Sequence, residues 1–245
     1  MALTHTGQTF LPQARRLLAD LSAALTVIRE TGKSQRGDVT IACVPTVGVQ
    51  FLLCIIREYA ARFPDNRIKI LDHASSRVAD AVLRREAELG IHIAGAHQNE
   101  LNSVPLLTDR YVVICRDDHA LADRKRLSWK QLEPHPLIFT GEGSDNRPVL
   151  DRALSEVSLA LRAYYEVQRS STAVGLAAAG VGIAVVPRLA MQQGAYPNIR
   201  IIALADPVVS RKLALVARRA AHLSPAAQAL YGMILRHAKT LRETG

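Results

Sequence analysis

The chain has 245 residues, 49% apolar and 22% charged, which describes a folded polypeptide long enough for one large core or two smaller ones and excludes a mini-protein. Aromatic residues are 4%, with Trp129 the single tryptophan, so the interior is expected to rest on Ala, Leu, Val and Ile, which argues against a stacking platform for single-stranded nucleic acid. The net charge is +9, but residues 1–37 and 206–245 carry +8 of it and the stretch between holds 19 basic against 18 acidic residues, so the middle of the chain is no phosphate-coating stripe.

In chain order, Leu11, Ala14, Leu18, Leu21, Leu25 and Ile28 recur at spacings of three and four. They predict a helix over about 8–30 with an a/d seam. A stripe this narrow needs a cover, and a second copy of the same helix is the economical one, which predicts a homodimer; packing back onto the chain's own domain is the alternative. Gly32 and Gly37 are read as a flexible hinge.

From Asp38 strands alternate with helices. Strands are expected over 38–44, 67–71 and 89–94, with helices over 45–63 and from an N-cap at Ser75 or Ser76 to about Arg85. A second series follows: strands over 111–116, 136–140 and 160–167, a helix over 144–155, a helix over 171–179, and strands over 182–186, 199–204 and 212–217. A final helix is expected over 225–241. Two comparable α/β series predict two lobes with a cleft between them.

Ligands of open α/β sheets settle beyond the carboxyl ends of the strands, where helix starts present free N–H groups. The helix starts here carry short hydroxyl or Gly residues: Thr46, Ser75 with Ser76, Gly143 with Ser144, and Ser170 with Ser171 and Thr172. Singly each reads as an N-cap. Together they predict a pocket for a carboxylate or other small anion.

Other chemistries have less support. Met1–Gly7 lacks a signal peptide's basic start and apolar run, which predicts a cytoplasmic location. The uncharged stretch 170–186 is broken by Gly175, Gly180 and Gly182 and is no membrane span. Cys43, Cys54 and Cys115 share no CxxC spacing and are expected as buried, reduced thiols. No histidine sits in a zinc-binding spacing, so neither a metal nor a cofactor is expected. Asp72, Glu86 and Glu88 read as capping or solvated carboxylates, and Gly141-Glu-Gly-Ser-Asp145 is not a nucleophile elbow, so no catalytic residue is expected.

Several stretches are familiar in order. Leu3-Thr-His-Thr-Gly7, the long amphipathic helix and Arg36-Gly-Asp-Val-Thr-Ile41 resemble the end of the winged helix-turn-helix, the linker helix and the first effector-domain strand of a LysR-type transcriptional regulator. Phe63-Pro64, Glu86-Ala-Glu-Leu-Gly-Ile91, Asp118-His119-Ala-Leu121, Thr140-Gly141 with Arg147, and Ala178-Ala-Gly-Val-Gly-Ile183 through Pro187 continue the resemblance along nearly the whole chain. Two departures stand out: Arg85 where a Gly is usual, and Glu88 where an Asp is usual.

The resemblance implies two Rossmann-like lobes of the type II periplasmic-binding-protein kind behind a linker helix. Residues 1–37 would be wing remnant and dimerisation helix (Leu11, Leu18, Leu21, Leu25, Ile28), with the effector domain over 38–245. Its lobe I would take about 38–110 and 218–245, and lobe II about 111–217, with strands 111–116 and 212–217 as crossings. Effector-binding positions are implied at Thr46, Ser75, Ser76, Thr140, Gly141, Ser171 and Thr172. The partners implied are a small-molecule effector, a homodimer or homotetramer, and DNA only through a helix-turn-helix whose complete form would precede Leu3, so weak or absent operator binding is expected of this chain. A periplasmic-type solute-binding protein for a small anion is the rival reading, though it would need an export signal and has no use for a heptad helix.

Overall fold

A computed structural model describes residues 4–32, 37–95, 99–142, 144–156, 161–192, 194–219 and 221–244. The helices are α1 (His5–Gly32), α2 (Leu52–Arg62), α3 (Ser75–Leu83), α4 (Asn146–Glu156), α5 (Ser170–Ala178) and α6 (Pro225–Thr244). The strands are β1 (Asp38–Cys43), β2 (Arg67–Asp72), β3 (Leu89–Ile93), β4 (Leu101–Arg116), β5 (Arg126–Ser128), β6 (Leu137–Thr140), β7 (Tyr165–Val167), β8 (Ile183–Pro187), β9 (Ile199–Ala205) and β10 (Ser210–Arg218). The chain forms two compact units: 1–44 with 54–106 and 214–245, and 45–53 with 107–213. The chain passes from one unit to the other inside β4, after Leu106, and inside β10, after Leu213. The strand 111–116 expected as a crossing therefore lies wholly in the second unit.

In the first unit β1 pairs in parallel with both β2 and β3, as the β-α-β-α-β reading required. The short apolar runs of these strands need cover, and α3 and α6 supply it. Close packing is visible at Gly90 of β3, where an added Cβ would come within 2.9 Å of Val78 and Val82 of α3. Helix α6 starts with Pro225 at its first position, and the Ser224 hydroxyl caps it by accepting from the Ala227 N–H at 3.2 Å. Glu88 in turn accepts from the Ser224 N–H and hydroxyl at 3.0 and 3.1 Å. This carboxylate serves helix capping, as expected.

The first helix runs three residues earlier and two later than its periodicity predicts. Leu11 and Ala14 are half-buried, and α1 shares a groove with Leu83–Glu86 at the end of α3. Leu18 and Leu21 of the seam stay 63% and 58% exposed. The side chains of Leu25 and Ile28 lie outside the described residues. Gly37, expected as a hinge, is held at the head of the sheet: its N–H donates to Asn66 Oδ1 at 2.8 Å and its carbonyl accepts from Arg67. At Arg85, where the resemblance expects Gly, φ is +64°, a left-handed conformation that glycine adopts without steric cost.

The second unit's sheet runs β4-β8-β6-β7, with β9 beside β4 and β5 beside β9. Its central strands are buried on both faces. Val113 and Cys115 of β4 join Trp129, Leu150 and Leu154 in one cluster, while Val112 and Ile114 join Ala173, Val174 and Ala177 of α5 in the other, which is the period-two alternation of a strand. Gly182 before β8 is required, because a Cβ there would meet the Pro136 carbonyl at 2.3 Å.

Several expectations are corrected. The helix expected over 45–63 is a π-helical turn (Val47–Phe51) followed by α2. Strand β4 begins at Leu101, ten residues earlier than expected, because its first half mixes in polar residues and Pro105 interrupts its one short apolar run, 104–107. The strand expected over 160–167 shrinks to β7, and residues 157–160 lie outside the described residues. Cys43 and Cys115 are buried, but Cys54 is exposed on the outer side of α2.

Candidate functional site

The buried polar residues of the second unit gather around one guanidinium. Arg211 lies on β10, where Arg211, Leu213 and Leu215 share the buried phase of the strand, and Asp109 occupies the same phase on β4 ahead of Tyr111 and Val113. Both charged residues are only 3% exposed. Nε and Nη2 of Arg211 donate to Asp109 Oδ2 at 3.0 and 2.8 Å, Nη1 donates to Asn146 Oδ1 at 2.8 Å, and Nη2 donates to Thr46 Oγ1 at 2.5 Å. Asp109 Oδ1 accepts from the Leu189 N–H at 3.1 Å. Burial pushes the Asp109 carboxyl up, and the guanidinium and the Leu189 N–H pull it back.

The other members come from helix starts at one edge of the sheet. β6 and β7 are parallel, with Thr140 opposite Val167, so the helices that follow them begin near each other. Asn146, the first residue of α4, donates from Nδ2 to Ser144 Oγ at 3.3 Å and to Ser170 Oγ, at the start of α5, at 3.4 Å. The Asn146 N–H also donates to Ser144 Oγ at 3.3 Å. Tyr111, a phenol that burial pushes up and keeps protonated, donates to Asn146 Oδ1 at 3.1 Å. Thr140 is 1% exposed, and its buried hydroxyl has no hydrogen-bond partner among the described residues.

Of the residues expected at the site, Thr46 lies in this cluster, and Thr140 and Gly141 end the strand beside it. The Gly141 N–H is used by the sheet, donating to Val167 at 2.9 Å. Ser171 and Thr172 are exposed on the first turn of α5, and Ser170 is the buried hydroxyl of that helix start. Arg147 is held by Asp151 at 2.7 Å and by Glu166 at 3.4 Å. Gly143 lies outside the described residues. Ser75 and Ser76 belong to the first unit. Ser75 sits inside α3 rather than capping it, and its hydroxyl donates to the Ile93 carbonyl at 3.3 Å and accepts from the Ile93 N–H at 3.0 Å. Ser76 is exposed. The capping explanation also fails for Thr46, which makes no side-chain cap, and Ser170 is the first residue of α5 rather than its cap.

Sequence reasoning missed Asp109, Arg211 and Asn146. A signal for two of them existed: each is a charge of opposite sign in the apolar phase of a strand, a placement that requires a buried partner.

The LysR substrate binding domain family model matches residues 32–239. The chain belongs to this family. It is 33% identical over 235 residues, 96% of its length and 74% of the relative's, to the uncharacterized HTH-type transcriptional regulator YbhD of Escherichia coli strain K12. The effector-binding domain of QuiR in complex with shikimate matches with a TM-score of 0.72 at 19% identity, over 84% of this chain and 98% of that one. The BenM effector-binding domain with its effector benzoate matches with a TM-score of 0.70 at 19% identity, over 85% and 95%. The fold is therefore that of the LysR effector-binding domains, of the type II periplasmic-binding-protein kind, and the chain's role is in transcription regulation. Among the described residues no helix is long and apolar enough to cross a membrane.

Proposed function

We propose that this LysR-family effector-binding domain senses a small carboxylate, with the donor cluster of the second unit as its recognition element. The observation that carries the reading is the set of three nearly buried hydroxyls, Thr46, Ser144 and Ser170, at 7%, 9% and 6% exposure. Each already accepts a hydrogen bond, so each has a proton to give, and a carboxylate is an acceptor-only group. The starts of α4 and α5 add the partial positive charge of their dipoles. Thr140, Gly141, Ser171 and Thr172 border this seat. Support comes also from the two structural neighbours, whose bound molecules, shikimate and benzoate, both carry a carboxylate.

The exposed Leu18 and Leu21 on α1 support a homodimer formed through that helix, and effector binding would bias the arrangement of such dimers on DNA. Calorimetric titration with benzoate and shikimate tests the sensing role. Saturable binding of either is expected, weakened about tenfold by Thr46→Val through loss of one donor to a charged group, with the same dimer mass by light scattering for both proteins. An undiminished affinity in Thr46→Val would place the seat elsewhere.

A further inference from the structure

We infer that Arg211, acting directly on Thr46 and through the Asn146 side chain on Ser144 and Ser170, makes these three hydroxyls acceptors toward the hub, so that they are left as outward donors and the site selects anions over their neutral isosteres. The inference rests on the proposed carboxylate seat and names the residues that give it its sign.

The direction follows from donor and acceptor inventories alone. A guanidinium has five N–H donors and no acceptor. Whatever Arg211 touches must therefore accept, and the Asn146 side chain faces it at 2.8 Å. That contact forces the amide oxygen toward Arg211 and fixes an orientation that an amide by itself leaves ambiguous. Tyr111 agrees, since its phenol donates to the same oxygen. The amide nitrogen then faces the other way with two hydrogens, and two serine oxygens lie there, Ser144 at 3.3 Å and Ser170 at 3.4 Å. Ser144 accepts a second bond, from the Asn146 N–H. On the other branch Arg211 donates directly to Thr46 Oγ1.

All three hydroxyl oxygens are thus engaged as acceptors, each has one proton, and none of those protons has an acceptor among the described residues. Buried donors left without acceptors are costly, which makes an acceptor-only ligand the complementary occupant. Asp109 keeps the hub in place: it receives two of the Arg211 bonds and is itself held by Leu189. Arg211 and Asn146 are positioning residues, since they act on the ligand through the hydroxyls.

Neutron diffraction from crystals of the full chain exchanged into D2O reads the directions without any ligand. The expected map places the Asn146 oxygen toward Arg211 and turns the deuterons of Thr46, Ser144 and Ser170 away from Arg211 and Asn146. A deuteron of either serine on Asn146, or an inverted amide, overturns the inference whatever binds. The ligand readout compares benzoate with benzamide. In Asn146→Asp the second carboxylate oxygen accepts the serine protons and reverses them, so the ratio of benzoate to benzamide affinity should fall at least about tenfold, and an unchanged ratio in a variant with native circular dichroism overturns the inference. Failure of benzoate and shikimate alike to bind the unaltered chain counts against the carboxylate-sensing role, while the neutron map still decides the polarity.

Discussion

In the first unit the Ser75 hydroxyl both donates to and accepts from Ile93, and Glu88 receives both donors of Ser224. In the second unit Thr46, Ser144 and Ser170 accept from Arg211 and Asn146, with no acceptor for their own protons among the described residues. The same kind of residue at comparable places, a hydroxyl at a helix start, has opposite consequences. A hydroxyl whose proton and lone pair are both used locks two elements together and has little left for a ligand. A hydroxyl fed by a donor-only hub is a directed donor. The difference comes from the hub, since among the described residues the buried guanidinium, Arg211, lies behind the second unit's helix starts.

The largest test of that contrast removes the hub. Arg211→Met leaves Asp109 as a buried carboxylate without its partner, and a loss of about 3–5 kcal/mol is expected from urea unfolding, with much of it restored when Asp109→Leu is added. Equal stability for the single and double variants would mean that the pair is not coupled. A smaller effect belongs to the first unit. Ser75→Ala strands the Ile93 N–H and should cost about 1–3 kcal/mol while leaving benzoate affinity unchanged, the reverse of the balance expected for Thr46→Val. Should Ser75→Ala weaken binding as much as Thr46→Val does, the two hydroxyls are alike and the contrast fails.

The smallest effect concerns a second polar spot in the second unit, where the rings of His119 and His135 lie 4.9 Å apart. Burial and then the His135 charge hold the His119 imidazole below its ordinary value, against a raising contribution from Asp118. The unfolded chain, with a histidine near about 6.5, takes up this proton before the folded chain does. Stability tied to His119 is therefore full above that value and lost as pH falls through it toward the folded value. His119→Gln should lower the urea midpoint less between pH 7.5 and pH 5 than the unaltered chain does. Identical declines would exclude His119 as the titrating group.

Much of the fold was legible because hydrophobic periodicity is local. The seam from Leu11 to Ile28, the β-branched run from Asp38 and the strand–helix alternation after it locate most elements to within a few residues. The glycine turn before β8 was legible too, as a resemblance whose physical reason is the Pro136 carbonyl facing Gly182. Losses came where local signals conflict with long-range pairing. The first half of β4 has only a short apolar run interrupted by Pro105, and Thr46 and Ser75 look like caps until their hydroxyls are seen bonded elsewhere.

The sequence by itself determined the α/β class, the amphipathic first helix and the short hydroxyl residues at the helix starts, because each depends on residues within a turn or a strand of one another. Only the tertiary structure decided which of those hydroxyls are donors. That depends on Arg211, 165 positions from Thr46 and 65 from Asn146, and a hydrogen bond's direction is set by the partner in space, which neighbours in the chain do not reveal.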